Sequence, residues 1–431
     1  MKEIKIGLLG LGTVASGLVN AIAETKELLA KRNKYSLSIA GVAVRDLNAQ
    51  RDCQVDSSLL TTDTFSIVNN PDIDIVLELI GGTTLAYDLV TQALKNGKAV
   101  VSANKALIAA HGDELFALAS QNNTAIFFEA AVAGGIPIIK ALKESLAGNH
   151  VTSISGILNG TCNYILTQMQ ENDEAFDDAL QGATDLGYAE ADPSLDIDGD
   201  DTAQKTAILA SLAYGTWFGT DAIEIKGIRG ISLSDIQYAK ESGYSIKLLG
   251  SYTLNSKGAV SLTTECTLVR EDSLLANVKG AFNAVELEGD LLGPAMLYGQ
   301  GAGQKPTASS VFADLIEAAS QACNGTLGQQ QEMIFADKAE FIPEEEQRSQ
   351  FYLRLMLEDC PAVFGKVALI LGNYDISMNS VNQKADASAE GIKPVVIQTH
   401  HVSVKAMKQA VAEIQASEYV SHQVILYPIK G

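Results

Sequence analysis

The sequence predicts an α/β protein with a Rossmann-type doubly wound parallel sheet over residues 1–135. An α+β domain is expected over 136–322, and a C-terminal domain of ferredoxin-like βαββαβ order over 348–431. Three observations carry this reading. Short apolar runs alternate with helically spaced ones through the first third of the chain. A glycine-bearing turn, GLGTVA at 10–15, sits between the first run and the first helical segment. The last 80 or so residues, roughly one small domain, repeat a strand, helix, strand, strand, helix, strand order after a polar stretch.

Taken in order, residues 4–9 form a largely apolar run closed by glycine, and Val14–Leu29 has helical spacing. Strand-like runs follow at 37–44, 73–80, 99–102 and 125–128, with helices at 87–95 and 112–120 between them. From Ile136 the pattern changes to a helix through Leu146, a strand at 152–158 and a helix at 161–170. An acidic segment then leads into a helix at 203–213, and strand-like runs lie at 246–254, 259–268 and 281–288. A helix near 305–322 is expected to complete the first domain. Residues 323–347, with GQQQEM and PEEEQ, read as a linker. Beyond it, strands are expected at 350–358, 376–383, 394–401 and 420–426, with helices at 362–373 and 403–416.

The 431 residues exceed what one core comfortably serves, and 47% hydrophobic with 19% charged residues is a globular composition. A formal charge of −21 disfavours phosphate backbones and anionic membranes, so neither nucleic acid nor membrane is expected as a partner. The opening MKEIKIGLLGLGTV has no signal-peptide pattern, which reads as cytoplasmic. Five scattered cysteines without CxxC spacing fit a reducing compartment, most of them as core thiols, and argue against zinc. His400 and His401 are read as structural.

In the first turn, Gly10 permits a tight bend, Gly12 admits a pyrophosphate, and Ala15 packs helix on strand. Thr13 and Val14 offer amides at a helix N-terminus, where anions bind. At the second strand's end Arg45 stands beside Asp46, the one suited to a 2′-phosphate and the other to ribose hydroxyls, so NADP and NAD both remain open. Lys105, in the SANK segment at 102–105, follows a central parallel strand at the crevice where such sheets bind ligands.

The stretch from Ala183 to Lys205, ATDLGYAEADPSLDIDGDDTAQK, gathers seven carboxylates ahead of a helix. Asp201 and Lys205 fall at i and i+4 on one face, a spacing that holds the lysine in place. The acid spacing fails the calcium-loop pattern.

Here the chain resembles the homoserine dehydrogenase family. Ala183, Gly187, Asp192, Pro193, Asp196, Gly199, Asp201 and Lys205 match its signature, together with GLGTV, SANK and the later GQGAGQKPTASSV at 299–311. The resemblance implies NAD(P)-dependent interconversion of L-aspartate 4-semialdehyde and L-homoserine, in threonine, methionine and isoleucine biosynthesis. It makes Lys205 the general acid/base and Lys105 a contact to substrate and nicotinamide, with Glu190 and Asp201 binding the amino acid. Gly10, Gly12, Thr13, Val14, Arg45, Ser102, Lys105 and Gly303 would bind the cofactor. Aldehyde reduction needs a hydride on carbon and a proton on oxygen, and a lysine supplies the proton while its charge steadies the alkoxide. The substrate's ammonium needs a carboxylate such as Glu190.

The family also has a monovalent cation site, Na+ or K+, matched by Glu129, Val132, Gly134 and Ile136 in EAAVAGGI. One carboxylate with several carbonyls is oxygen ligation suited to a hard cation, and the same residues suit a glycine-rich hinge. EDCPAV at 358–363, within the βαββαβ order, resembles an ACT domain. That implies an amino-acid effector, threonine first, and a homodimer or higher homo-oligomer. The competing readings are another NAD(P)-dependent dehydrogenase of an amino or hydroxy acid, and a non-catalytic nucleotide-sensing regulator.

Overall fold

The computed structural model describes residues 2–33, 35–329, 338–383 and 391–430. In chain order the first elements are β1 (Lys2–Leu9), α1 (Thr13–Arg32), β2 (Tyr35–Ala43), β3 (Leu60–Thr61), α2 (Thr64–Val68), β4 (Ile75–Glu78), α3 (Thr84–Lys95), β5 (Ala99–Ser102), α4 (Lys105–Gln121) and β6 (Ile126–Phe127). The six strands form one parallel sheet in the order β3-β2-β1-β4-β5-β6. The order reverses between β1 and β4, and the crevice beyond the strands' carboxyl ends at that point is where such folds take ligands. Ile4, Ile6, Leu8, Ile75, Leu77 and Val101 are buried as near-continuous runs, as a sheet covered on both faces requires.

The chain continues through α5 (Ile138–Lys140), β7 (Val151–Ile157), α6 (Gly160–Asn172), α7 (Phe176–Asp185), α8 (Ser194–Ile197), α9 (Asp200–Tyr214), β8 (Glu224–Ile225) and α10 (Leu233–Glu241). Then come β9 (Tyr244–Leu254), β10 (Val260–Arg270), β11 (Phe282–Gly289), β12 (Gly293–Gln300) and α11 (Gln304–Asn324). The last elements are β13 (Arg348–Glu358), α12 (Val363–Asn373), β14 (Met378–Gln383), β15 (Ile392–Thr399), β16 (Val402–Ser403), α13 (Val404–Gln415) and β17 (Ile425–Lys430).

These elements gather into two compact units that interleave along the chain. The first holds residues 1–160, 201–223 and 281–338. Besides the parallel sheet it contains the antiparallel set β12-β11-β7 and helix α11, whose Ala308, Val311, Leu315 and Ala319 join the parallel-sheet core. The second unit holds residues 161–200, 224–280 and 339–431. There β10 pairs antiparallel with β9 and parallel with β17, and the C-terminal strands run β17-β13-β15-β14, all antiparallel, with α12 and α13 packed together. The C-terminal βαββαβ stretch therefore shares a sheet with β9 and β10, a pairing that a division by position along the chain does not show.

Several local expectations shift. The last strand is Ile425–Lys430, five residues beyond its expected start, and α4 begins at Lys105 instead of Gly112. Asn104 is the reason for the latter, since its side chain caps α4 at the Leu107 amide (3.1 Å). The stretch 136–146 is a single α turn followed by a π turn at 141–145. All five cysteines are free, but only Cys162 and Cys266 are buried; Cys53 and Cys323 edge the first core and Cys360 is exposed. Part of the GQQQEM stretch lies outside the described residues. Among the described residues no helix is long and apolar enough to cross a membrane.

Candidate active site

The nucleotide turn is built from β1 and α1. Gly10 has φ +93°, and a Cβ there would lie 2.9 Å from the Leu79 carbonyl, so the bend requires glycine. A Cβ at Gly12 would meet nothing within 4 Å. Gly12 starts α1 without a side-chain cap, which leaves the first-turn amides for an anion. Thr13 is exposed, whereas Val14 is half-buried against the core. Gly303 precedes α11 with φ +120°, and the start of that helix lies against Gly17 of α1 (Gln304 within 3 Å of a Cβ built there), so both helix starts share one edge. These features fit a dinucleotide.

Arg45 and Asp46 are exposed just past β2. The Asp46 carboxylate accepts the Asn48 amide at 2.8 Å and its carbonyl accepts from Arg51. Ser102 is turned inward, its hydroxyl donating to Glu78 Oε2 at 2.6 Å.

The reacting groups converge on Asp201, in the first turn of α9. It is 5% exposed. Lys205 Nζ, one turn along, donates to Asp201 Oδ2 at 2.8 Å and to the Leu158 carbonyl at 2.7 Å. Lys105 Nζ lies 3.1 Å from Asp201 Oδ1, and Asn159 Nδ2 donates to Oδ2 at 2.7 Å. The Leu158 carbonyl also accepts Asn283 Nδ2 at 2.9 Å, filling its second lone pair. Burial alone would raise the Asp201 pKa, but the two ammonium groups and the hydrogen bonds from Lys205 and Asn159 reverse it and hold the carboxyl at about 2. Asp201 therefore accepts from the two lysines and Asn159, besides the amino-acid contact that the resemblance implies. Glu190 is exposed and belongs to the second unit.

The remaining acids of the 183–201 stretch are local braces. Asp192 accepts the Ser194 amide at 3.1 Å, and Asp198 takes Arg229 through two oxygens at 2.6 and 3.0 Å. Among the described residues no cluster of three His, Cys, Asp or Glu side chains could hold a metal.

At the expected cation turn, Glu129 is buried and its two oxygens accept the amides of Ile139 and Lys140, each at 2.8 Å. Burial raises its pKa despite these bonds. Ala133 and Gly134 both take positive φ, and the Gly134 carbonyl accepts Ser310 Oγ at 2.7 Å. The carboxylate is turned to the start of α5, because unpaired amides there need an acceptor, and each of its oxygens keeps a second lone pair. Main-chain carbonyls, each with a second lone pair, are also what this turn offers a monovalent ion.

Asn159, Asn283, Asn104 and Glu78 belong to the site or its footing and were not singled out in the sequence. For Glu78 a signal existed, an acid closing an apolar strand at the switch point. For the asparagines none did.

A helix start open to pyrophosphate on one side and two ammonium groups on a shared carboxylate on the other provide for a two-electron carrier and a proton carrier. That is the provision of a nicotinamide-dependent dehydrogenase. Residues 10–129 match the family model "Homoserine dehydrogenase, NAD binding domain", and residues 137–316 match "Homoserine dehydrogenase". The chain is 42% identical over 429 residues to the homoserine dehydrogenase of Pseudomonas aeruginosa, covering 99% of this chain and 98% of that one. The crystal structure of a homoserine dehydrogenase from Thiobacillus denitrificans superposes with a TM-score of 0.92 at 39% identity, over 100% of this chain and 99% of the other. A hyperthermophilic archaeal homoserine dehydrogenase in complex with NADPH gives 0.62 at 29% identity, over 74% of this chain and 98% of that one. The chain belongs to the homoserine dehydrogenase family and is an oxidoreductase.

Proposed function

We propose that this enzyme interconverts L-aspartate 4-semialdehyde and L-homoserine, on the route to threonine, methionine and isoleucine, with Lys205 as general acid/base. The observation that supports this most is the Lys105–Asp201–Lys205 arrangement, one buried carboxylate between two ammonium groups. Two of the three Lys205 N–H groups are committed, to Leu158 and Asp201, which leaves one for the substrate oxygen. In reduction that N–H protonates the carbonyl oxygen as charge builds there, and in oxidation the lysine takes the hydroxyl proton back. Lys105 adds a second positive charge beside the developing alkoxide. Asp201 holds both lysines, and Glu190 takes the substrate ammonium.

A bound nicotinamide would supply or accept the hydride. Gly10, Gly12, Thr13 and Val14 would hold its pyrophosphate and Gly303 would border it, while Arg45 suits a 2′-phosphate and Asp46 ribose hydroxyls, so NADP and NAD both remain open. The carbonyls of Val132, Gly134 and Ile136, with Glu129 bracing them, hold Na+ or K+ as a structural ion. The C-terminal stretch is an ACT-type sensor of threonine in a homodimer, and the protein works in the cytoplasm.

The test is oxidation of L-homoserine followed at 340 nm with NAD+ and with NADP+, repeated with threonine present. The reading expects reduction of at least one cofactor, and slowing by threonine. No absorbance change with either cofactor refutes it.

A further inference from the structure

Glu78 is the last residue of β4, at the carboxyl edge beside the switch point, and is 0% exposed. Its Oε1 accepts the amides of Ile80 (3.1 Å) and Gly81 (3.2 Å), the turn that leads from β4 to α3. Its Oε2 accepts the Ser102 hydroxyl at 2.6 Å, at the end of β5. The Ser102 oxygen in turn accepts the Asn104 amide at 3.1 Å. The Asn104 side chain donates to the Gly82 carbonyl at 2.7 Å and to Glu78 Oε1 at 3.4 Å, while its own oxygen caps α4. The next residue is Lys105.

A carboxylate taken out of water is costly, and among the described residues no lysine or arginine pairs with Glu78. Burial raises its pKa, opposed only by the four hydrogen bonds. Nothing in the packing of the sheet asks for a charge there, since Val76 and Leu77 precede it in an ordinary apolar run. What the position does ask for is an acceptor facing donors from two turns at once, which the two carboxylate oxygens provide. The turn it holds also needs holding. Gly81 and Gly82 take φ of +71° and +75° in succession, and a Cβ at either would meet nothing within 4 Å, so no side-chain packing fixes the backbone there.

We propose that Glu78 is a positioning residue for the reaction. Its carboxylate ties the β4–α3 turn to the β5–α4 turn and so sets where Lys105, first residue of α4, meets Asp201. The inference rests on the reading that Lys105 acts in the reaction. Without the carboxylate, Ser102 loses its acceptor and the Asn104 side-chain NH2 keeps only the Gly82 carbonyl, so the cap that starts α4 at Lys105 loosens. A lysine displaced by about 1 Å costs on the order of 10²-fold in rate.

A double-mutant cycle tests this on the full-length enzyme with L-homoserine and NADP+. Glu78→Ala is expected to lower kcat/KM about 10²-fold in the wild-type background. In a Lys105→Ala background it should lower it less than about threefold, because the group it positions is gone. Glu78→Gln, which keeps one acceptor for the Ile80 and Gly81 amides and lets the Ser102 hydroxyl turn to accept, should recover most of the turnover. Circular dichroism and melting report folding. If Glu78→Ala does not fold, Ser102→Ala takes its place, with a loss of roughly several-fold expected in the first background and none in the second. Losses that multiply in the double mutant overturn the inference and leave the reading of Lys105 intact. A fully active Lys105→Ala overturns both.

Discussion

Asp201 and Asp314 are both nearly closed to water, and they respond in opposite directions. Asp201 faces Lys205 and Lys105 and is held at about 2. Asp314, on α11, is 1% exposed and pushed up to about 7 by burial, its partners being Lys140 at 3.5 Å and the Glu129 amide at 2.7 Å. The difference lies in the number and closeness of the positive charges. For Asp314 the folded pKa exceeds the unfolded 3.8, so the native state binds the extra proton between about pH 4 and 7, and stability falls as pH rises through that window. Urea unfolding at several pH values should show this fall in the wild type and lose it in Asp314→Asn; an unchanged slope would count against the assignment. For the reaction, Lys205→Ala should retain NADPH binding, read by cofactor fluorescence, because the nucleotide turn lies on other elements. Its turnover should fall by about 10²- to 10⁴-fold, and near-wild-type turnover would remove Lys205 from the chemistry.

At the scale of elements, α4 and α9 carry the reacting lysines, and a packing contact ties them. A Cβ at Gly112 of α4 would stand 2.2 Å from the ring of Trp217, which follows α9, and Trp217 meets Phe116 edge-on at 5.5 Å. In an open helix Gly→Ala would stabilise by about 0.5–1 kcal/mol. Here overpacking wins, and Gly112→Ala should destabilise by about 1–3 kcal/mol. Trp217 is the sole tryptophan, so its emission during guanidinium unfolding reports the change directly. A stabilised variant would show that the ring moves aside without cost. The periodic helices and apolar strands of the first 130 or so residues were readable because each buries a whole face. Helix α10 was overlooked although Ser232 and Asp235 form a capping box, a local signal that lay in plain view. The last strand was placed too early because Val420 pairs only as a single bridge to Leu357, while Ile425–Lys430 finds two partner strands.

At the scale of the whole chain, the second unit is closed by its own C-terminus. Tyr352, Val396 and Ile429 share a core with Ile236, Leu248 and Leu268, and Arg354 pairs with the buried Asp235 of α10. Removing one partner of such a pair strands a buried charge, at about 3–5 kcal/mol. Arg354→Leu should therefore lower the free energy of unfolding of the second unit, read from urea denaturation, by that amount, whereas an exposed pair would give under about 1 kcal/mol. A chain ending at residue 347 should expose this core and lose solubility in a centrifugation assay; a soluble, fully active product would show the C-terminal stretch to be a detachable module.

The sequence by itself determined the parallel sheet, the nucleotide turn and the Asp201–Lys205 pair. These depend on periodicity and on residues at most a few positions apart, which a helix or a tight turn converts directly into geometry. Only the tertiary structure decided that Lys105 joins that pair from 96 positions away, that Asp201 serves the lysines, and that Glu129 turns to amides. It also decided that Glu78 underlies Lys105 and that β17 seats the C-terminal stretch beside β10. Such contacts join groups whose meeting is set by how the sheet orders its strands and how the helices pack, and no spacing along the chain encodes them.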